Sequence, residues 1–537
     1  MRINIKSKEQ DNIKFEGSIK VIPLLGVFLC VGLAIRVYIS WLDLETLFQK
    51  VLVDDAFFYM KLAQNIASGN GVTFDGEILT NGFHLVYAML LVPLFWVFPH
   101  NLEIPIHCAL TILSVFNVLT GIVIFLIIRE ISGRVAGLIA FFIWLFNPYV
   151  IMISLSGVEV GVATFFLSLC IYQYIKMLNS GIYYPARFII LGILTALAIL
   201  SRTDSVFMFV AITFHILYLS FRQKKKLISS LSKPTLYVLT TFAILSPWFI
   251  WNLYHFGTIR QISGVVLPFT AHTMYLIKYK TYFSLSFIKM ELFYLKTWVS
   301  HIITFGGGPL LVFLALGFLG GVLFSLKERR NKLIHNINLL NFSIISVCLT
   351  VCFYALYFWG WLRPWYYLSI LAVVTIYLGL VLSMLQEKIK GWSIKGLFIV
   401  CFLLFINFSY LGYTAWREGL FPFQKQMYDA TIWIDQNTEE DARIGAFNSG
   451  IFGYLSNRKV IDLAGVVNQD VYKARLEKRL YDYFMEKKLD YLIDRQDMVE
   501  FNQIFSKTDY VKNLKLIKRF GPTPADISVY KFTAGLP

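Results

Sequence analysis

Eleven apolar runs of 15 to 24 residues break up the first 415 positions of the chain, at 20–41, 105–128, 134–153, 160–178, 186–200, 205–221, 235–254, 309–326, 337–358, 364–385 and 396–415. Runs of that length match a helix crossing about 30 Å of hydrocarbon. Lipid offers the backbone no hydrogen-bond partner, so such segments fold as helices. The chain therefore reads as a polytopic α-helical membrane protein with about 11 transmembrane helices. At 57% hydrophobic and 17% aromatic residues it is not an ordinary soluble globule.

Charge orients the spans. The net charge of +16 is no nucleic-acid footprint, because membrane proteins gather Lys and Arg on cytoplasmic loops. RQKKK (222–226) follows six spans, KERRNK (327–332) eight and QEKIK (386–390) ten. Arg129 and Arg134 flank the turn after the second. All agree with a cytoplasmic N-terminus, where a basic leader precedes an uncleaved first span closed by Trp41. The run 82–99 is short, interrupted by Pro93 and ended by Pro99, and reads as a juxtamembrane helix on the outer face. Counting it as a span would reverse every loop after it.

An odd number of spans places residues 416–537 outside. That region is charged throughout and reads as a small α/β domain. Helices are expected over 427–437 and 474–488, with strands over 443–447, 458–463 and 490–494 and a closing strand at SVYKF. Two further long outer segments are 42–104 and 255–308, and long loops are commonly functional. The six cysteines, Cys30, Cys108, Cys170, Cys348, Cys352 and Cys401, lie in apolar runs without metal-type or disulfide-type spacing.

By the same count, the unusual polar residues fall on the outer side. Asp54 and Asp55 open VDDAFFYM, and Asn81 and His84 lie in TNGFH. Glu159 stands at the end of the fourth span, and Arg202 and Asp204 in the turn SRTD. His255 and Arg260 enter the second long segment, and Arg363 and Tyr366 sit in WGWLRPWYY. Charges at helix ends are costly unless they face water, each other or a ligand. Gathered acids and bases suit a cavity in which a carboxylate activates a hydroxyl and a cation holds a phosphate. Each also has a plainer reading. The acid pair can simply favour its own helix N-terminus, Arg202 and Asp204 can bridge a turn, and Arg363 can reach to the interface.

The strings VDDAFFYMKLAQNIASGNGVTFDG, TNGFH, SGVE, LSRTD and NLYHFGTI, with the early acid pair, the later outer acid and the C-terminal domain, resemble the GT-C fold glycosyltransferases. The bacterial group akin to protein mannosyltransferases and aminoarabinose transferases is the nearest in pattern. That resemblance implies a membrane enzyme of the bacterial cytoplasmic membrane, with a transmembrane catalytic domain (1–415) and an extracytoplasmic α/β domain (416–537). It would transfer a sugar, with inversion, from a polyprenyl-phosphate donor to a hydroxyl of a glycan, lipid or protein acceptor. By motif, Asp54 matches the general base, with Asp55 as the alternative, and Glu159 matches the second acid. Arg363, Arg202, Arg260 and His255 become holders of the donor phosphate, with Asp204, His84, Asn81 and Tyr366 beside the substrates. The resemblance leaves a divalent metal ion open. TNGFHLVY lacks the proline expected after its histidine. A lipid or sugar flippase is the rival reading, but that class places ionisable groups within spans and shows internal repeats. A non-catalytic envelope scaffold is the third.

Overall fold

The computed structural model describes residues 21–310 apart from 182–183, 223–226 and 282–283, residues 313, 316 and 317, and residues 327–533 apart from 359–361, 389–393 and 523–525. The basic leader, most of RQKKK and most of the expected span 309–326 lie outside the described residues.

Helices dominate up to residue 418. Among the described residues, seven are long and apolar enough to cross a membrane, or eight if one bent pair counts as a span. The bent pair is Arg134–Phe146 and Pro148–Ser154, which meet at 58° over the expected span 134–153. Pro148 has no N–H to continue the helix. Asn147 instead caps the second piece, accepting from Tyr149 N at 3.0 Å and Val150 N at 3.3 Å. The Leu145 carbonyl thereby loses its helical donor and is served by Arg36 Nη1 at 2.8 Å. Arg36 also binds the Gly32 carbonyl and Asn117 Oδ1, at 2.9 Å each. Gly32 permits the approach, since a Cβ there would sit 2.3 Å from Leu145 Cγ. The arginine in the first span is thus a staple for a broken helix.

The run 82–99 forms a helix over Leu85–Val97. Thirteen residues span only about 20 Å, too short for a crossing. The acid pair begins the helix Asp54–Ala67, but neither acid caps it: the N-cap is Val53, with no side-chain hydrogen bond. Segment 255–308 contains two helices, Ser263–Tyr279 and Leu285–Gly306.

The C-terminal region is a small five-stranded sheet domain with order β2-β1-β3-β5-β4. β1 (Arg443–Ala446) pairs in parallel with β2 (Lys459–Asp462) and β3 (Tyr491–Arg495). β4 (Leu514–Phe520) and β5 (Ile527–Phe532) close the other edge antiparallel. The expected helix 474–488 is two helices, Gln469–Leu476 and Leu480–Glu486, separated where Lys478 takes a φ of 56°. β4 had no counterpart in the sequence reading. It is an edge strand exposed on both faces, so it lacks the buried alternation that marks a strand.

This domain packs on the first long loop. Glu77 pairs with Lys459, Tyr454 Oη donates to the Leu102 carbonyl at 2.8 Å, and Gly82 lies against the Val466 carbonyl. A Cβ at Gly82 would come within 1.9 Å of that oxygen. Gly82→Ala is expected to weaken the docking by about 1–3 kcal/mol, the usual cost of overpacking. Faster proteolytic release of the C-terminal domain from membranes is the measurement.

Candidate active site

Between the helical bundle and the C-terminal domain lies a cavity of about 760 Å³. Part of its lining is apolar, with Phe207, Phe242, Leu245 and Phe249. Charged side chains line it as well, and the C-terminal domain contributes Asn448, Val466, Arg475 and Asn502. Apolar walls with a few convergent polar groups are the usual make-up of a ligand site.

Glu159 anchors the charged groups from the N-cap position of the helix Val160–Ser180. It is 3% exposed and both its oxygens are engaged. Oε1 is paired with Arg202, and Oε2 accepts from Tyr59 Oη at 2.8 Å. The same tyrosine oxygen lies 2.8 Å from His84 Nδ1. A tyrosine has one proton; with it directed to Glu159, His84 Nδ1–H donates to the tyrosine and Nε2 is left as an acceptor. Burial lowers the His84 pKa, with Glu159 opposing, so the ring is neutral at pH 7.

Arg202 leaves the end of the helix Pro185–Ser201 and spends its guanidinium on three partners. Besides Glu159, Nε donates to Asp204 Oδ2 at 2.8 Å and Nη2 to Tyr354 Oη at 2.9 Å. Tyr354 in turn donates to Asp204 at 2.7 Å. The face of Arg202 lies 4.9 Å from the Tyr366 ring centroid, and Tyr366 stacks on Tyr354. The buried Glu159 and half-buried Asp204 carboxylates, one arginine and two tyrosines thus form a network in which every charge has a partner.

The two adjacent acids face different ways. Asp54 is buried, and its carboxylate accepts from Ile451 N at 2.7 Å and Gly450 N at 3.3 Å in the C-terminal domain. Asp55 is solvent-accessible where it faces the cavity and makes no hydrogen bond among the described residues. Its surroundings exclude enough water to raise its pKa; Arg363 and Arg202 pull it down and Glu159 pushes it up. Arg363 lies over Trp365 and Phe421, 5.9 and 5.8 Å from their centroids, and lines the same cavity.

Nine of the eleven residues singled out from sequence line this cavity: Asp54, Asp55, His84, Glu159, Arg202, Asp204, Arg260, Arg363 and Tyr366. Two do not. His255 is exposed beside Trp251 and Tyr254. Asn81 is buried and ties the two long loops together, through Asn252 Oδ1 at 2.6 Å, the Arg260 carbonyl at 3.2 Å and Ile262 N at 3.0 Å. Tyr59, Tyr354, Asn448 and Arg475 were missed. Tyr59 was findable, since it lies four residues after Asp55 and shares its helix face. Tyr354 sits on a π-helical turn, Tyr354–Phe358, without a sequence mark. No three His, Cys, Asp or Glu side chains form a metal-binding group among the described residues. Arg363 and Arg202 lie close enough to Asp55 to pull its pKa down, and both Glu159 oxygens are taken by Arg202 and Tyr59.

The long apolar helices, the cavity at their end and the capping sheet domain define the GT-C fold of membrane glycosyltransferases. Residues 89–251 match the profile of the dolichyl-phosphate-mannose-protein mannosyltransferase family, and residues 416–531 match a domain of unknown function (DUF8728). The structure is similar to ArnT from Cupriavidus metallidurans bound to undecaprenyl phosphate, with a TM-score of 0.58 and 10% identity over 94% of this chain and 98% of that one. It is also similar to the Archaeoglobus fulgidus oligosaccharyltransferase solved with zinc and sulfate, with a TM-score of 0.57 and 15% identity over 94% of this chain and 72% of that one. The archaeal oligosaccharyltransferase AglB from the same organism, in complex with an inhibitory peptide and a dolichol-phosphate, gives 0.55 and 13% over 95% and 74%. A search of curated protein sequences returns no match.

Proposed function

We propose that the protein transfers a sugar from a polyprenyl-phosphate donor to an acceptor hydroxyl, with inversion, at the extracytoplasmic face of a bacterial cytoplasmic membrane. The observation that carries this reading is Asp55: a carboxylate held by no hydrogen bond among the described residues, in a cavity lined by both charged and apolar side chains. The family match and the lipid-phosphate complexes of ArnT and AglB support the donor class. The apolar lining suits a prenyl chain. The domain limits 1–415 and 416–537 belong to the same reading.

In this mechanism Asp55 takes the proton of the acceptor hydroxyl. The acceptor oxygen bonds to the anomeric carbon as the bond from that carbon to the phosphate oxygen breaks. The electron pair of that bond leaves with the lipid phosphate, and Arg363, with Arg260 at the cavity edge, offsets the charge. Arg202 is saturated by Glu159, Asp204 and Tyr354, so it keeps the site's shape instead of binding phosphate. This assigns the base to Asp55, where the sequence reading favoured Asp54, because the Asp54 carboxylate is turned into the domain interface.

Lipid-linked sugars that accumulate in a strain lacking the gene would identify the donor. Restoration of the missing glycan product by the wild-type chain is the expected result. Accumulation of neither, with loss of lipid transport, would favour a flippase. A reporter fused after residue 425 is expected to behave as extracytoplasmic, and cytoplasmic behaviour would defeat the sidedness.

A further inference from the structure

Asp54 is the acid that the proposed chemistry leaves unused, and it is the more constrained of the pair. It is 5% exposed, and both carboxylate oxygens accept backbone N–H groups from the start of the Gly450–Leu455 helix. The two helices come from opposite ends of the chain and meet closely. A Cβ on Gly450 would lie 2.2 Å from the Asp54 carbonyl oxygen and 3.0 Å from Oδ1. Nearby, Phe57 packs against Tyr454, with ring centroids 5.7 Å apart. Successive helix positions are turned by about 100°, so at the cavity wall one carboxylate is bonded to the C-terminal domain while its neighbour's is left open to the cavity. Both acids lie in the first turn of the helix. Any shift of that turn therefore carries the Asp55 carboxylate with it.

We propose that Asp54 is a positioning residue, which pins the first turn of its helix to the Gly450–Leu455 helix of the C-terminal domain and thereby holds Asp55 at its place in the cavity. The inference rests on the reading of Asp55 as base. Burial pushes the Asp54 carboxyl up to about 8; the Ile451 N–H opposes this, and Asp55 adds to it. The contact is made through acceptor oxygens, and an asparagine at this position keeps one of them.

The full chain is tested in a strain lacking its own copy, by mass spectrometry of the glycan product that disappears with the gene. Hydrogen exchange at amides 450 and 451 of the purified chain is read in parallel. Asp54→Asn is expected to retain product within about three-fold, the scale of one altered hydrogen bond. Asp54→Ala and Gly450→Ala are each expected to lower product by about ten- to a hundred-fold and to speed exchange at both amides, because small displacements of a catalytic group are costly. Asp55→Asn is expected to lower product by about a hundred-fold or more with exchange unchanged. If Asp54→Ala does not accumulate in membranes, Gly450→Ala and Asp54→Asn decide.

Loss of product in Asp54→Asn at wild-type exchange would overturn the positioning role, because the charge itself would then be needed. Undiminished product with fast exchange in the alanine variants would overturn it as well. Product surviving in Asp55→Asn is a separate outcome: it removes the base, and with it the reason for positioning.

Discussion

Asp55→Asn is expected to lower sugar transfer by about 10²–10⁴-fold, the usual contribution of a general base, while the protein accumulates and melts as the wild type does. The reason for the second half is that the Asp55 carboxylate makes no hydrogen bond among the described residues, so the fold loses nothing when it is neutralised. The pH profile follows from the same group. A base works deprotonated, and desolvation within the cavity raises the pKa of Asp55 above its ordinary value. Transfer should therefore fall as pH drops through that raised pKa, with an acid limb above the ordinary carboxylate value of about 4. A rate flat across that range, or an asparagine variant with full activity, would remove Asp55 from the chemistry.

Arg202→Met is expected to have the largest effect on stability. It leaves the buried Glu159 carboxylate, and the half-buried Asp204 beside it, without their shared cation, at a cost of about 3–5 kcal/mol for breaking a buried pair from one side. A lower thermal midpoint of the purified protein is the measurement. Arg202→Lys should rescue little of it. A lysine ammonium cannot reproduce the planar fork that reaches Glu159, Asp204 and Tyr354 at once while stacking on Tyr366. A lysine variant as stable as the wild type would mean the network needs only the charge.

Much of the candidate site was legible because its residues sit where charge is expensive. Glu159, Arg202, Asp204 and Arg363 stand out at the ends of apolar runs, and one membrane end naturally gathers such groups. The roles within the group were less legible. Arg202 looks like a phosphate ligand in sequence, yet its valences are filled by residues 43 and 152 positions away. His255 has the right residue type in the right segment, but its helix turns it to the surface. Arg475 and Asn448 carried no mark because they belong to a separate domain, and only docking brings them to the cavity.

By itself, the sequence determined the helical membrane class, the C-terminal change to an α/β domain and the set of polar residues at the ends of the apolar runs. These depend on local properties: the length of apolar runs, the alternation of residues and the density of charge. Tertiary structure alone decided that Asp54 and Asp55 part company. Neighbouring residues on a helix point about 100° apart, and what each one meets is supplied by distant chain, Gly450 and Ile451 for the first and the cavity for the second. The break at Pro148 and its repair by Arg36 were settled in the same way, because a carbonyl freed in one span found its donor in another.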